Sequence, residues 1–231
     1  VSIARQLDDV IVLATTLLAR GKMIYRQGNY APAEADLLEA HELLRQTDNV
    51  KLMSEVLLML GTLARFHISY DRADAYFTES LALARQVNDP ELISEVLSGL
   101  VGMFSDRGLY AEAEAHNLEG LELARAVGNS HKVAKLLANL STLALLQGNF
   151  EQAERYGLQA LEEARKVGSF DDICYIYTNL GGMALDLQEY PKAERYLNES
   201  LALARRIADT KIVSADLASL GTLSMQLERY D

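Results

Sequence analysis

Histidine and cysteine are among the side chains that most often act as metal ligands, bases or nucleophiles near neutral pH. The four histidines, His41, His67, His116 and His131, form no His-x-x-x-His pair, and Cys174 has no Cys or His at ligand spacing. The sequence also contains no phosphate-binding loop, nucleophile elbow or dinucleotide-binding fingerprint. It therefore predicts a protein that is not an enzyme and that needs no metal or cofactor.

The single cysteine could be a redox switch or a small packing residue. It lies in register, at intervals of 40 residues, with Ala14, Ser54, Ser94, Ala134 and Ser214. Because free cysteines are commonly buried and inert, we expect packing. One cysteine allows no internal disulfide, which fits the reducing cytoplasm, and we expect a cytoplasmic location.

The same interval of 40 residues sets the positions of most other residue types. Aromatic residues recur at Tyr30, Tyr70, Tyr110, Phe150, Tyr190 and Tyr230, and alanine recurs at Ala33, Ala73, Ala113, Ala153 and Ala193. The letters ESLALAR appear at residues 79–85 and again at residues 199–205. Such a period, without insertions, indicates a repeat protein.

Each period predicts two helices. In the first, Ile93, Val96, Leu97 and Leu100 have helical spacing. That helix should end near a glycine such as Gly108, which can take the left-handed backbone conformation. The second helix begins at the aromatic residue. Side-chain oxygens able to cap the first helices precede them at Asn49, Asp89, Asn129, Ser169 and Asp209.

This pattern resembles the tetratricopeptide repeat. The family pattern has a large residue, Leu-Gly, an aromatic residue, a small alanine and a bulky residue, and here these positions hold Leu57, Leu60-Gly61, Ala64, Ala73 and Phe77. The sequence departs from the family where Leu or Tyr replaces Trp, and where arginine replaces the proline that ends the second helix. The extended repeats are similar to those of Pins-type scaffolds, kinesin light chain and the sensor arms of bacterial signal-transduction ATPases. The resemblance implies an all-α, right-handed superhelical solenoid of antiparallel helix pairs.

The resemblance covers essentially the whole chain, residues 1–231, as a single array. Full repeats are expected at residues 10–49, 50–89, 90–129, 130–169 and 170–209. Residues 1–9 match the end of a preceding second helix, and residues 210–231 match a first helix that stops at the next aromatic residue. Neither end has a polar capping repeat, so we expect a piece of a longer array or of a multidomain protein.

In the family, first helices line a concave groove, and positions facing it can be identified from the period. The candidate groove residues are Lys22, Tyr25, Arg26, Glu55, Arg65, Phe66, Glu95, Asn139, Tyr175 and Asn179. These positions vary from repeat to repeat whereas the packing positions do not, which is expected of residues that face different parts of a ligand.

Two binding hypotheses follow from these residues. The basic and aromatic side chains of the first two repeats could bind an acidic, partly aromatic segment, with arginine pairing to carboxylates, or could merely keep an exposed face soluble. Asn139 and Asn179 could bind a peptide backbone, because an amide both donates and accepts hydrogen bonds. Alternatively, the two amides could bond within their own helix bundle.

Charge narrows the class of partner. The chain has 22 Lys and Arg against 33 Asp and Glu, a net charge of −11. A chain this acidic is a poor candidate for binding nucleic acid, which needs clustered basic groups. It also lacks a polybasic segment for anionic lipid, and no apolar run is long enough to span a membrane. We expect a protein or peptide ligand and a non-catalytic scaffold, with self-association through exposed ends as a further expectation. The alternatives are a regulatory arm of a bacterial signal-transduction ATPase or transcription activator, and the recognition segment of a protease.

Overall fold

Helices dominate the computed structural model, which describes Arg5 and residues 9–227. The expectations for residues 1–4 and 6–8, and for Tyr230 as a helix start, lie outside the described residues. The described part contains eleven helices and no strand. They are α1 (Val10–Arg26), α2 (Tyr30–Leu44), α3 (Val50–Phe66), α4 (Tyr70–Gln86), α5 (Pro90–Asp106), α6 (Tyr110–Ala126), α7 (Ser130–Leu146), α8 (Phe150–Val167), α9 (Phe170–Asp186), α10 (Tyr190–Ile207) and α11 (Thr210–Leu227).

The helices form two compact units, Val1–His116 and Asn117–Asp231. In the first unit α1 packs on α2, α2 on α3, α3 on α4 and α4 on α5, and the first helices α1, α3 and α5 also touch in sequence. In the second unit the same pattern joins α7, α8, α9, α10 and α11. Consecutive pairing of helices confirms the all-α class and the helix-pair repeat.

Small residues allow the helices to approach closely. In the first unit the fully buried ring of Phe77 on α4 lies against Gly61 of α3 and Gly99 of α5. A Cβ atom at Gly61 would lie 2.8 Å from the ring, and one at Gly99 would lie 2.6 Å from it. In the second unit a Cβ atom at Gly181 would lie 2.7 Å from the Leu197 side chain. The repeated glycine positions therefore make room for one bulky residue of the neighbouring helix.

Four of the five expected caps accept hydrogen bonds from backbone amides of the first turn. They are Asn49, Asp89, Asn129 and Asp209. Ser169 occupies the N-cap position of α9, but its hydroxyl accepts no backbone amide and instead donates to the carboxylate of Asp172 at 2.6 Å. The expectation of a serine cap on α9 was therefore wrong, and Ser169 orients an acidic side chain.

The turns after the first helices are left-handed, as expected at Gly28, Gly108 and Gly148. The corresponding turns of the other two repeats are also left-handed, yet they carry Ile68, with φ of 59°, and Gln188, with φ of 61°. Glycine is the residue that normally tolerates this conformation. The repeat therefore imposes the turn geometry even where the residue type does not favour it.

Candidate partner-binding surfaces

Two of the three basic side chains expected to bind a ligand in the first unit are paired within the chain. Arg65 of α3 donates to Asp106 of α5 through Nε at 2.6 Å and Nη2 at 3.2 Å. Gly102 leaves room for this guanidinium, since a Cβ atom there would overlap Nη1 of Arg65. The Lys22 ammonium lies 3.4 Å from a carboxylate oxygen of Glu55. The charges of Lys22 and Arg65 are thus balanced before any ligand arrives.

Arg26 and Glu95 differ from these pairs. Both side chains are exposed, and neither forms an ion pair with the described part of the chain. Of the three expected cations, Arg26 is therefore the one whose guanidinium remains available to pair with a carboxylate of a partner.

The aromatic members of the first unit do come together. The ring of Tyr30 lies 5.6 Å from that of Tyr25 and 4.0 Å from that of Phe66, measured between centroids. Phe66 remains 52% exposed. Tyr30 was not among the expected groove residues, although its place in the aromatic series marked it as a helix start. The three rings form an apolar surface at the ends of α1 and α3, suited to an apolar side chain.

In the second unit, Asn139 of α7 and Tyr175 of α9 meet at one cleft. The cleft has a volume of about 260 Å³ and is lined by Lys135, Ala138, Asn139, Asp172, Tyr175 and Ile176. Asn139 is exposed, and Tyr175 is 48% exposed. Asn179 follows Tyr175 by one turn of α9 and is half-buried, outside the lining of this cleft. We call this feature the amide cleft.

The two asparagine amides have unused hydrogen-bonding capacity. Within residues 9–227, neither Asn139 nor Asn179 forms a side-chain hydrogen bond. By contrast, the buried amide of Asn117 donates to the carbonyl of Leu136 at 2.7 Å. The described residues thus contain no hydrogen bond that supports the alternative, in which the amides of Asn139 and Asn179 bond within their own helix bundle.

Asp172 in the amide cleft was not identified from the sequence. Its carboxylate accepts the Ser169 hydroxyl and lies 3.3 Å from Nδ1 of His131. One signal could have revealed it: the corresponding positions of the first three repeats are the apolar residues Val12, Leu52 and Leu92. The fourth repeat carries Lys132 there, so charged residues at this position distinguish the fourth and fifth repeats from the first three.

The surroundings of Cys174 disfavour reactivity of its thiol. It is buried between α9 and α10, near the backbone carbonyl of Ser200. Burial, followed by the nearby charge of Asp216, raises the pKa of the thiol to about 11. The thiol is therefore protonated at neutral pH, which favours packing over a redox switch.

The structure also bears on metals and membranes. Among the described residues, no three His, Cys, Asp or Glu side chains are grouped so that they could hold a metal ion. None of the described helices is both long and apolar enough to cross a bilayer.

Comparison with known proteins relates the chain to repeat proteins. Two family models described as tetratricopeptide repeat match residues 92–166 and 174–209. No curated protein sequence matches significantly.

Several solved structures share the fold. A signal transduction ATPase with a tetratricopeptide repeat sensor from Pyrococcus horikoshii has a TM-score of 0.81 at 18% identity, over 91% of this chain and 33% of that one. A Rap protein complexed with competence and sporulation factor has a TM-score of 0.72 at 16% identity, over 99% of this chain and 67% of that one. A Podospora anserina protein described as a kinesin light chain with nearly identical TPR-like repeats has a TM-score of 0.72 at 11% identity, over 85% of this chain and 96% of that one. This chain thus spans about a third of the length of the archaeal ATPase.

Proposed function

Because the chain belongs to the tetratricopeptide-repeat proteins, we propose that it is a non-catalytic scaffold that binds a peptide or a partner protein on its first helices. The observation that carries the proposal is the amide cleft, where the unpartnered amide of Asn139 lies beside the half-exposed ring of Tyr175. An amide can pair with the backbone of a peptide of any sequence, and a tyrosine ring adds contact area at low entropic cost.

The charges of the cleft suit a polar backbone better than a single charged group. Lys135 and Asp172 both line it, so a cation and an anion are available in one place. A peptide group carries a donor and an acceptor and can use both. The neighbouring Asn179, one helical turn from Tyr175, offers a second amide to the next part of an extended ligand.

The first unit offers a candidate binding surface of its own. Because Glu55 and Asp106 balance Lys22 and Arg65, Arg26 is the one of these three groove cations that an acidic ligand could pair with directly. The surface of Tyr25, Tyr30 and Phe66 favours a ligand that carries an aromatic or aliphatic side chain. The solved complex of a Rap protein with competence and sporulation factor supports ligand binding by this fold.

The proposal is tested by selecting 12-residue peptides from a random display library against the chain, and measuring their dissociation constants by fluorescence anisotropy. Asn139→Ala and Asn179→Ala should each weaken binding by roughly five- to tenfold, because each removes about one hydrogen bond. The matched control is Asn198→Ala, at an exposed asparagine of the second helix α10. Since alanine favours a helix more than asparagine does, none of the three variants should lower the melting temperature.

Two results would contradict the proposal. The first is a library that yields no peptide with saturable binding. The second is a set of selected peptides whose affinity is unchanged in both groove variants, which would place the ligand elsewhere.

A second candidate function is the sensor arm of a signal-transduction ATPase. It is favoured by the likeness to the tetratricopeptide repeat sensor of the Pyrococcus horikoshii protein. A nucleotide-binding motif in the same reading frame, outside residues 1–231, would support this candidate. Flanks made only of further repeats would favour the free-standing scaffold.

A further inference from the structure

Ile68 combines an unfavourable backbone with an exposed side chain. It lies in the turn between α3 and α4 with φ of 59°, where the two flanking repeats of the same unit have Gly28 and Gly108. A β-branched residue suits a left-handed backbone poorly, because its Cβ atom crowds the following carbonyl. The Ile68 side chain is nevertheless 71% exposed, so its burial in the chain offsets little of this cost.

The side chain of Ile68 borders a cleft at the turns of the first unit, which we call the turn cleft. Its volume is about 410 Å³, and its lining is Ile68, Ser69, Tyr70, Asp71, Arg72 and Arg107. An apolar pair, Ile68 and Tyr70, therefore lies beside two guanidinium groups. Residues other than glycine that are held in the left-handed backbone region cluster at functional sites.

The two arginines of the turn cleft differ in whether they form an ion pair. Arg72 is held by Glu34 at 3.0 Å, with its guanidinium 5.9 Å from the centre of the Tyr76 ring. Arg107 is exposed and forms no ion pair with residues 9–227. Asp71 supplies a negative charge at the same cleft, so an anionic ligand is favoured only where it can reach Arg107. Although the chain as a whole has a net charge of −11, the exposed guanidinium of Arg107 places a positive charge at this cleft.

We propose that the turn cleft binds an acidic peptide segment in which a large apolar side chain stands next to a carboxylate. The apolar side chain contacts Ile68 and Tyr70 and removes them from water. The carboxylate accepts two parallel hydrogen bonds from the Arg107 guanidinium. None of the groove residues on α1, α3, α5, α7 and α9 lines this cleft, and the inference does not rest on the proposed function.

The test uses two fluorescein-labelled 12-residue peptides at low ionic strength. One alternates Glu with Leu and contains one Phe, and the other has Lys in place of every Glu. The acidic peptide should bind saturably and the basic one should not. Ile68→Gly and Arg107→Glu should each weaken the acidic peptide by roughly tenfold or more, since each removes one of the two contacts.

Ile68→Gly also separates binding from stability. It relieves the strained turn and should raise the melting temperature by a few degrees while it lowers affinity. The matched control is Gln188→Gly, at the corresponding turn of the second unit with φ of 61°. That variant should raise the melting temperature too and leave the affinity unchanged.

Other outcomes overturn the proposal. If Ile68→Gly stabilises the protein but the acidic peptide binds as before, Ile68 is only a strained turn residue. If the affinity falls with Asn139→Ala and Asn179→Ala but not with Arg107→Glu, the peptide occupies the groove, and the proposed function survives alone. Equal binding of both peptides would show adsorption without charge recognition.

Discussion

Cys174 shows how a single residue can lose its reactivity through its surroundings. Burial raises the pKa of its thiol to about 11, so that at pH 8 about one thiol in a thousand is ionised. A thiol-disulfide reagent reacts with the thiolate and must also reach it.

We therefore predict that the native protein at pH 8 does not react with Ellman's reagent over several minutes, and that one thiol per chain reacts at once in guanidinium chloride. The change in absorbance measures both. The matched control is Ala202→Cys, at an exposed position of the adjacent helix α10, which should add one fast-reacting thiol to the native protein. A native Cys174 that reacted as fast as this added thiol would contradict the assignment.

At the scale of the helix, Asp89 joins a cap to an ion pair. Its carboxylate accepts the amides of Glu91 and Leu92, each at 3.1 Å, and lies 2.7 Å from the Lys51 ammonium. The hydrogen bond from Lys51 and then the backbone amide of Leu92 lower the pKa of Asp89 below its ordinary value. The ionised form is therefore the one that stabilises the fold.

The sign of the pH dependence follows from that lowered pKa. The stabilisation by Asp89 is complete above the pKa of the unfolded chain, about 3.9, and is lost as the pH falls through the lower pKa of the folded chain. Asp89→Ala should cost about 1 kcal/mol at pH 7, with a smaller cost below pH 3. Urea denaturation from pH 2.5 to 7 measures the difference from wild type.

The control for Asp89 is a neutral cap. Asn129 accepts the amide of Lys132 at 3.0 Å before α7, and Asn129→Ala should cost about as much at every pH. If the cost of Asp89→Ala did not change with pH either, the pairing with Lys51 would contribute nothing.

The helices were predictable because their limits are encoded locally. Asp89, Pro90 and Gly108 mark one helix from start to end by residue type, and the 40-residue period carries those limits to other repeats. The left-handed turn at Ile68 has no such mark, since isoleucine predicts the opposite. Only its register with Gly28 and Gly108 indicated the turn.

The candidate surfaces were predictable only in part. The period gave the positions of Tyr25, Phe66, Asn139 and Tyr175, because it identifies which residues share a face. It could not show that Asp106 occupies the fork of Arg65, since the two are 41 residues apart and their contact depends on how side chains extend between neighbouring repeats. Ion pairs between neighbouring repeats are thus the feature of these surfaces that could not be predicted from the sequence.

At the scale of the whole molecule, a substitution in the core should destabilise the helices near it more than distant helices. Repeat proteins gain stability from each repeat and its nearest neighbours. Phe77 is fully buried in the first unit, and Phe77→Ala should cost about 3–5 kcal/mol. We predict that hydrogen exchange measured by mass spectrometry speeds up in α3, α4 and α5, and much less in α9 and α10.

Leu197 provides the matched variant for that experiment. It is fully buried and occupies the position of the second unit that corresponds to Phe77, 120 residues away. Leu197→Ala should give the reverse pattern, with faster exchange in α9 and α10. Uniform loss of protection in both variants would mean that the chain unfolds as one cooperative body.

The short reach of the side-chain contacts has a consequence for synthesis. The pairs described above join residues no more than 41 positions apart, as in Arg65 with Asp106. A nascent chain leaving the ribosome can therefore complete each repeat's contacts once the next 40 or so residues have emerged. Apolar faces of early repeats need not wait for the end of translation, which shortens the time in which they are open to aggregation.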